Sequence, residues 1–380
     1  MNFQKTIQFL SNPKFFLGTI FWLMVLVVLG TLSQANIGLY ESQQKYFSSW
    51  LLMLGYFPVP GGRLTLLIMF INLFAFTLKP SFWSIKKIGI ITIHCGVLLL
   101  LVGGGLTAWF SSEGMMSIDE GKASNFIFNS YTKELVITDT SNPKYDQLIV
   151  ISDDILKEGN IIKNSKIPFT LEVIDYFMNC EEAPRYKPDS LDINYPNYKG
   201  FAEKSSLVKV KNEKERELNI TGITFKISNA SELSDGVYSL VLGQPIPEVI
   251  NVGERSLSLQ LRRERTYLPF SLELIDFKKE MHPGTDIAKS YSSKINLHEK
   301  DIKRPVLIEM NIPLRHKNYT FYQSSFREDN FNSTTILSVV KNYGRLFPYI
   351  SSIIMCIGLL LHMVLRLPML FSERRKRKKT

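Results

Sequence analysis

Cysteine is scarce in this sequence: there are three among 380 residues, and no two of them form a C-x-x-C pair. Cys95 and Cys356 lie in apolar stretches, which leaves Cys180 alone in the polar part of the chain. Thiol–disulfide exchange and cysteine-ligated zinc both need paired thiols, so the sequence argues against both. Paired carboxylates, a Ser/His/Asp order and a phosphate loop with a recognisable signature are also missing, which disfavours a free-standing hydrolase.

Acidic side chains are also in the minority: there are 35 of them against 45 basic ones, which gives a net charge of +10. Much of the excess lies in the run RRKRKK at residues 374–379. Such a run can bind nucleic acid. Because this one directly follows an apolar stretch, we interpret it as a cytoplasmic stop signal that attracts anionic lipid, and we expect no nucleic-acid partner.

Long apolar runs are what the sequence does contain. A helix that crosses the ~30 Å core of a lipid bilayer needs about 20 apolar residues. We predict four transmembrane helices: Phe15–Leu32, Leu64–Leu78, Ile88–Phe110 and Leu346–Leu370. The apolar core of the first is longer than the roughly 7–15 residues of a secretory signal, so we expect a retained anchor.

Lysines beside the predicted spans indicate how they are oriented, since short cytoplasmic flanks are rich in Lys and Arg. With four spans, one side holds Lys5, Lys14, Lys79, Lys86, Lys87 and the C-terminal run. We therefore expect cytoplasmic N- and C-termini, with the loop 34–63 and residues 111–343 outside the cytoplasm. Within that loop, Tyr46–Leu54 mixes aromatic and apolar residues, which predicts a short amphipathic helix at the outer interface.

From Ser111 onward the pattern changes to short alternating runs separated by Asn, Gly, Pro and Asp. Such alternation is typical of strands and predicts a β-rich extracytoplasmic domain, sandwich-like or barrel-like. The segments Ile167–Phe177 and Leu268–Phe277 share a Pro-Phe start and a Leu-Glu-x-Ile-Asp core, which favours an internal repeat over chance. The layout is thus residues 1–110 with three helices, 111–343 as the outer domain, and 344–380 with the fourth helix and the basic tail.

Two of the five histidines lie inside predicted transmembrane helices, where a polar ring usually faces a partner, a cavity or a ligand. His94 lies in the third helix. Gly89, Gly96 and Gly103 form a stripe on the opposite face, which favours close packing against another helix there. An imidazole in an apolar groove suits an axial ligand of haem iron, and a hydrogen bond to a neighbouring helix backbone is the other interpretation.

His362 lies at a similar depth in the fourth helix, with Met355, Gly358 and Arg366 roughly on its face. A small residue on one side and an arginine on the other suit a ring that carries carboxylates, with Arg366 as the carboxylate partner. Ordinary interface packing, with Arg366 reaching toward water, is the alternative. The remaining histidines occur in polar segments and are expected to be solvated: His282, His298 and His316.

Several motifs, taken in their order along the chain, resemble the ResB family of cytochrome c biogenesis proteins, also called CcsB. Gly30–Gln34 is similar to the family's Gly-Thr-x-x-Gln at the end of the first helix. The other matching motifs follow in order: Pro60–Arg63, Asn72-Leu73, Gly89–Gly96, Ser117–Gly121, Asn311–Leu314 and Phe321–Phe326. The resemblance covers nearly the whole length of the chain.

The resemblance implies a role in system II cytochrome c maturation, where haem crosses the membrane and is attached through thioethers to the C-x-x-C-H of apocytochrome c. It implies a membrane partner, ResC or CcsA, with a tryptophan-rich haem-binding segment. This chain has four tryptophans and none is adjacent to another, so we expect it to need that partner. The chain would be a subunit of a haem-attaching cytochrome c synthase complex in the cytoplasmic (inner) membrane, with a periplasmic domain, rather than a stand-alone enzyme.

By position, His94 matches the family's transmembrane haem ligand, which implies that His94 is an axial ligand of the haem iron. The partner would supply the second axial ligand, so the resemblance adds less to His362. Two alternatives stay open. One is a scaffold or apocytochrome-binding chaperone that holds no haem. The other, a membrane-anchored sensor, would need a cytoplasmic output domain and is disfavoured.

Overall fold

The computed structural model describes residues 3–185, 196–285, 288–328 and 332–377, with side chains of the last helix described to Arg366. The chain divides into two compact units. The first consists of Met1–Ser112, Arg315–Thr320 and Val340–Thr380, and the second of Glu113–Leu314 and Phe321–Val339. The side chains of the basic run 374–379 lie outside the described part of the chain.

Helices dominate the first unit. In chain order, the α-helices of the protein are α1 Phe3–Leu10, α2 Pro13–Ile37, α3 Leu39–Ser42, α4 Gly62–Thr77, α5 Ile88–Phe110, α6 Phe201–Lys204 and α7 Phe347–Arg377. A π-helix, Gln43–Phe47, follows α3, and short 3-10 turns occur at Pro80–Phe82, Ile85–Lys87 and Arg216–Leu218. Asn12 caps α2 by accepting a hydrogen bond from the Lys14 backbone N–H, and Pro13 starts the helix, where its missing N–H costs nothing.

Three helical segments in the described residues are long and apolar enough to cross a membrane: Gln4–Ile37, Ile85–Phe110 and Phe347–Arg366. The first, third and fourth predicted helices are confirmed as apolar helices of that length. The second, Leu64–Leu78, folds as α4, whose 16 residues extend only about 24 Å. It is shorter than the ~30 Å apolar core of a bilayer, so a fourth span stays a prediction.

Hydrogen bonds from two side chains fix how α4 lies along α2. The Trp22 indole N–H donates to the carbonyl of Pro60, just before α4, over 2.7 Å. Near the other end, the amide of Asn72 donates to the carbonyls of Leu10 and Asn12, the latter over 3.1 Å. Asn72 is 6% exposed, so these bonds also satisfy a buried polar group. The two helices are therefore held antiparallel at both ends of their contact.

The predicted amphipathic helix over Tyr46–Leu54 is wrong. Helical structure ends at Phe47, and β1 (Leu51–Leu54) pairs with β2 (Phe57–Pro60) in an antiparallel hairpin. Gly55 turns the chain with φ of 62°, a conformation that glycine adopts without steric cost. Leu52 is buried against Leu26 of α2 while its neighbours Leu51 and Met53 are exposed, which is the alternation of a strand rather than of a helix.

Glycines bring α5 and α7 into close contact, as the stripe on α5 predicts. A Cβ atom added at Gly89 would lie 2.5 Å from the backbone nitrogen of His362, and one at Gly96 would lie 2.6 Å from Met355 Cγ. One at Gly103 would collide with Phe347. Since real Cβ atoms do not come so close, only glycine permits this helix–helix contact, and the prediction that the glycine face packs on a neighbouring helix is confirmed.

Antiparallel strands make up most of the second unit and confirm a large β-rich domain. Beyond the hairpin, the strands are β3 Ser112–Asp119, β4 Ala123–Asp139, β5 Gln147–Ser152, β6 Ile161–Ile162, β7 Thr170–Phe177, β8 Cys180–Pro184, β9 Ser205–Lys209, β10 Gly222–Ser228, β11 Gly236–Val241, β12 Glu248–Val252, β13 Arg255–Met281, β14 Ala288–Glu299, β15 Ile302–Glu309, β16 Leu314–His316, β17 Tyr319–Glu328 and β18 Ser333–Lys341. The larger sheet has the order β15-β14-β13-β4-β3-β18-β17-β16, with β12 on β13 and β5 on β4. A second sheet has the order β11-β10-β7-β6, and β8 pairs with β9.

The two larger sheets share one apolar core. Inward side chains of β4 and β13, such as Leu135 and Leu259, pack in the same cluster as Leu171 of β7 and Phe225 of β10, all fully buried. Burial of such side chains from water is the main stabilising term of a domain of this kind. The larger sheet also curves so that β13 and β17 meet. The rings of Phe270 and Phe321 contact each other with centroids 6.0 Å apart.

The two segments of the proposed repeat bury corresponding side chains but pair with different strands. Phe169, Leu171 and Val173 are buried in the first copy, as are Phe270, Leu272 and Leu274 in the second. However, β7 pairs with β10 and β6 in the smaller sheet, whereas β13 pairs with β14 and β4 in the larger one. A duplicated unit therefore stays a prediction.

The contact between α5 and α7 yields a matched pair of substitutions. Gly103→Ala places a methyl group against Phe347, so we expect about 1–3 kcal/mol of destabilisation from overpacking. Gly104→Ala is the control, because a Cβ there meets nothing within 4 Å and helix propensity favours alanine. Thermal unfolding of the purified protein in detergent measures both, and equal midpoints for the two variants would contradict the packing.

Candidate functional site

His94 lies in α5 with its ring among aromatic side chains. The Phe76 ring, from the end of α4, stacks on it with centroids 5.5 Å apart and planes 22° apart. The Phe82 ring meets it at 66° with the same centroid distance. Phe82 is 3% exposed and His94 is half-buried, so the imidazole sits in an apolar corner with part of its surface open.

One hydrogen bond determines which nitrogen of His94 is free. Nδ1 lies 2.8 Å from the carbonyl oxygen of Ile90, one turn earlier in α5. A carbonyl only accepts, so Nδ1 carries the proton and donates it. In a neutral imidazole the lone pair is then on Nε2. This is the arrangement in which protein histidines bind metal, with the other ring nitrogen held by a backbone carbonyl.

The aromatic corner around His94 comes from the short link between α4 and α5. Phe82 contacts both Phe76 and Trp83, with centroids 5.4 Å and 5.5 Å apart. The Trp83 indole donates to the carbonyl of Thr77 over 2.7 Å, which fixes the link to the end of α4. Lys79 places its ammonium 5.3 Å from the centre of the Phe76 ring. An apolar corner therefore carries a positive charge at its rim.

These neighbours of His94 were not identified from the sequence. From the sequence, Lys79 is expected only to be a basic residue beside the second predicted helix. The available signal was three aromatic residues, Phe76, Phe82 and Trp83, around a Lys-Pro break within reach of the next helix. Which helix face they would meet depends on how α4 packs on α5, and no sequence pattern states that.

His362 and Arg366 lie on α7, away from this corner. Gly89 faces the backbone of His362, and His94 comes five residues after Gly89, about 140° further round the helix. The structure therefore does not bring the two histidines together. A Cβ at Gly358 would lie 2.8 Å from the backbone N of Ile93, so α5 fills the space beside this glycine. Arg366 is exposed.

Elsewhere in the described ranges, no group of three or more His, Cys, Asp or Glu side chains is placed to hold a metal ion. Among the outer histidines, His282 is exposed. His298 Nε2 lies 2.8 Å from Glu273 Oε2, where Asn296 and Lys303 also donate over 3.1 Å and 3.0 Å. Hydrogen bonds from His298, then Asn296 and Lys303, lower the pKa of Glu273 to about 2. The Glu273 carboxylate on β13 thus joins His298 of β14 and Lys303 of β15.

Comparison with known proteins agrees with the motifs. Residues 246–336 match the model of the ResB-like family. Over 273 residues, or 70% of this chain, the sequence is 24% identical to Protein NrfI of Wolinella succinogenes. The alignment covers 26% of that protein, so the chain spans about a quarter of the length of this relative. The family resemblance inferred from the motifs is confirmed, and the matched segment holds most of the larger sheet, from β12 into β18.

The Glu273 cluster predicts a pH dependence of stability. The folded pKa of Glu273, about 2, lies below its usual value of 4.5, so the carboxylate stabilises the fold above pH 4.5 and loses that effect as the pH falls toward 2. We expect Glu273→Gln to lower the thermal midpoint at pH 5, with the difference from the native protein shrinking by pH 2.5. Glu280→Gln is the control, because its contact with Lys289 is exposed and 3.8 Å long. A constant difference across this pH range would contradict the assignment.

Proposed function

We propose that the chain is a member of the ResB-like family, whose model matches residues 246–336, and a membrane component of the system II cytochrome c synthase. In this role it assists delivery of haem across the cytoplasmic membrane and its attachment to apocytochrome c. The family match and the similarity to NrfI support a part in cytochrome c biogenesis. The three long apolar helices support a place in the membrane.

One observation carries the haem part of the proposal. His94 donates from Nδ1 to Ile90 and leaves the lone pair of Nε2 for an iron atom, inside an apolar helix. A backbone hydrogen bond of this kind orients an imidazole ligand and raises its basicity. We therefore assign His94 as the residue that would hold the haem iron through Nε2, and bound haem would supply the porphyrin that becomes attached to apocytochrome c.

The neighbours of His94 have separate roles in this proposal. Phe76 and Phe82 hold the imidazole plane and keep water from it. Lys79, at the rim, would pair with a haem propionate, since an ammonium attracts a carboxylate strongly where water is sparse. His362 and Arg366 stay candidates for a separate haem contact, with Arg366 as the carboxylate partner, because they lie on the far side of α5 from His94.

A membrane partner of the ResC or CcsA type would complete the proposed complex and would supply the other ligand of the haem iron. Apolar side chains on α2 and α7 are exposed, among them Met24, Val28, Ile353 and Leu360, so these helices offer surface to lipid and to such a partner. The lysines beside the helices favour cytoplasmic termini and a periplasmic β-rich unit.

A second candidate function is a scaffold that grips apocytochrome c while the partner holds all the haem. It is favoured by the size of the β-rich unit, which in its described residues has no metal-ligating cluster. Crosslinking of apocytochrome c to this unit, together with a haem-free His94 site, would support it over the leading proposal.

Visible spectra of the chain purified with its partner test the proposal. We expect a haem absorbance band that His94→Ala reduces by about tenfold or more, since losing even an outer partner of a ligand costs about that much affinity. Cys95→Ala is the matched control, because Cys95 is the next residue of α5 and is exposed. Unchanged haem content in the His94 variant would overturn the ligand assignment.

A further inference from the structure

Strand β14 has an outer edge that β15 covers only in part. The pairing of β14 with β15 runs from Ser292↔Glu309 to Glu299↔Ile302. β14 begins at Ala288 and pairs with β13 on its other side as far as that residue. Of the four residues Ala288–Tyr291, all but Lys289 are therefore paired with β13, and within the described chain none is paired on the other side.

A groove of about 960 Å³ lies against this unpaired edge. One side consists of Lys289, Ser290 and Tyr291, and the chain segment that leaves β15 forms another. That segment turns back tightly, with the backbone N–H of Ile312 donating to the Glu309 carbonyl over 3.1 Å and the reverse bond at 3.2 Å. The turn thus diverts the chain just where β15 would otherwise continue along β14.

Pro305 of β15 indicates which residues of β14 direct their backbone N–H and C=O groups toward β15. Pro305 lies opposite Asn296 in the ladder of β14 and β15, and it has no N–H to donate, so this pair is one without mutual hydrogen bonds. Asn296 therefore directs its own N–H and C=O toward β13. Because successive residues of a strand alternate, Tyr291 directs its N–H and C=O outward, into the groove.

The groove edge is held in place by aromatic contacts. The Tyr291 hydroxyl donates to the carbonyl of Ser324 over 3.1 Å, and its ring lies 5.4 Å from that of Phe326. Phe277 contacts the same Phe326 ring with centroids 5.3 Å apart. β14 is thus fixed to β13 and β17 up to its exposed end, so a strand that adds there meets a preformed edge and orders little of the protein.

We propose that this groove binds an extended polypeptide segment as an added β-strand beside Ala288–Tyr291. The inference rests on the proposed function, under which the segment belongs to apocytochrome c before haem attachment. Strand addition draws its affinity from backbone hydrogen bonds, which every sequence offers. The edge accommodates about four residues, or roughly 13 Å.

The side chains around the groove fit an unfolded substrate. Met310 and Ile312 are 42% and 58% exposed and offer apolar contact to alternate side chains of the added strand. Lysines and glutamates share the walls, with Lys278, Lys289, Glu280 and Glu309 among them, so neither sign of charge dominates. A surface of this kind selects extended backbone rather than one sequence.

Hydrogen exchange and a matched pair of variants test the proposal. The probe is a fluorescent apocytochrome c segment whose C-x-x-C-H cysteines are replaced by serine, added to the full-length chain in detergent. We expect slower amide exchange over Ala288–Tyr291 on binding, and no change in β5, which lies outside the groove. Ile312→Asp should weaken binding by about tenfold, the effect of losing part of the burial of an isoleucine.

Ile302→Asp is the control, because Ile302 is 68% exposed at the far end of β15 and outside the groove. Equal affinities of the two variants, or protection elsewhere than β14, would overturn the groove while leaving apocytochrome binding intact. Failure of the native chain to bind the probe would overturn the groove and the apocytochrome part of the proposed function together. A change of mass in solution on Ile312→Asp would assign the groove to a second copy of the chain and also overturn the proposal.

Discussion

The close contact of α5 with α7 is the constraint on which the candidate site depends. Gly89, Gly96 and Gly103 let the helices approach to distances that a methyl group would prevent. Without water between apolar helices, such packing is a main force that holds them together. It also fixes the rotation of α5 about its axis. Because the glycines must face α7, His94 must face elsewhere, and the link between α4 and α5 meets it there.

The rotation of α5 places the His94 ring where one of its nitrogens is hydrogen-bonded and the other carries the lone pair. With the ring placed between Phe76 and Phe82, Nδ1 has the Ile90 carbonyl as a hydrogen-bond acceptor, and Nε2 is the nitrogen with a lone pair. A polar ring beside apolar side chains is costly unless it is hydrogen-bonded or coordinates a metal. The hydrogen bond from Nδ1 to the Ile90 carbonyl satisfies one ring nitrogen, and an iron atom bound at Nε2 would satisfy the other.

The β-rich unit holds its shape through a different device. Its larger sheet rolls over itself, and Ser293 of β14 lies 2.7 Å from Gln323 Oε1 and 2.8 Å from Thr335 Oγ1. All three side chains are buried, and a buried polar network whose members are bonded makes one packing arrangement specific. Arg262 pairs with Glu134 over 2.7 Å between β13 and β4. These contacts hold β14 in position, so the proposed partner strand would meet an ordered edge.

Residue patterns predicted the parts of the structure that depend on one element at a time. Hydropathy located the long helices, alternation located the β-rich unit, and the glycine spacing identified the packed face of α5. Prediction was wrong for Leu51–Leu54, where a glycine at positive φ and alternate burial against Leu26 favour a hairpin over a helix. The aromatic contacts of His94, and the packing of α5 against Gly358, depend on which helices meet. No local pattern in a single sequence states which helices meet.

Chemical rescue tests the role of His94 most directly. The variant His94→Gly, purified with the partner, removes the imidazole and leaves the space it occupied. Added free imidazole is a ligand that needs no link to the chain, so we expect it to restore the haem absorbance lost in this variant. Absorbance that persists without imidazole, or that imidazole fails to restore in a folded complex, would contradict the assignment of His94 as an axial ligand.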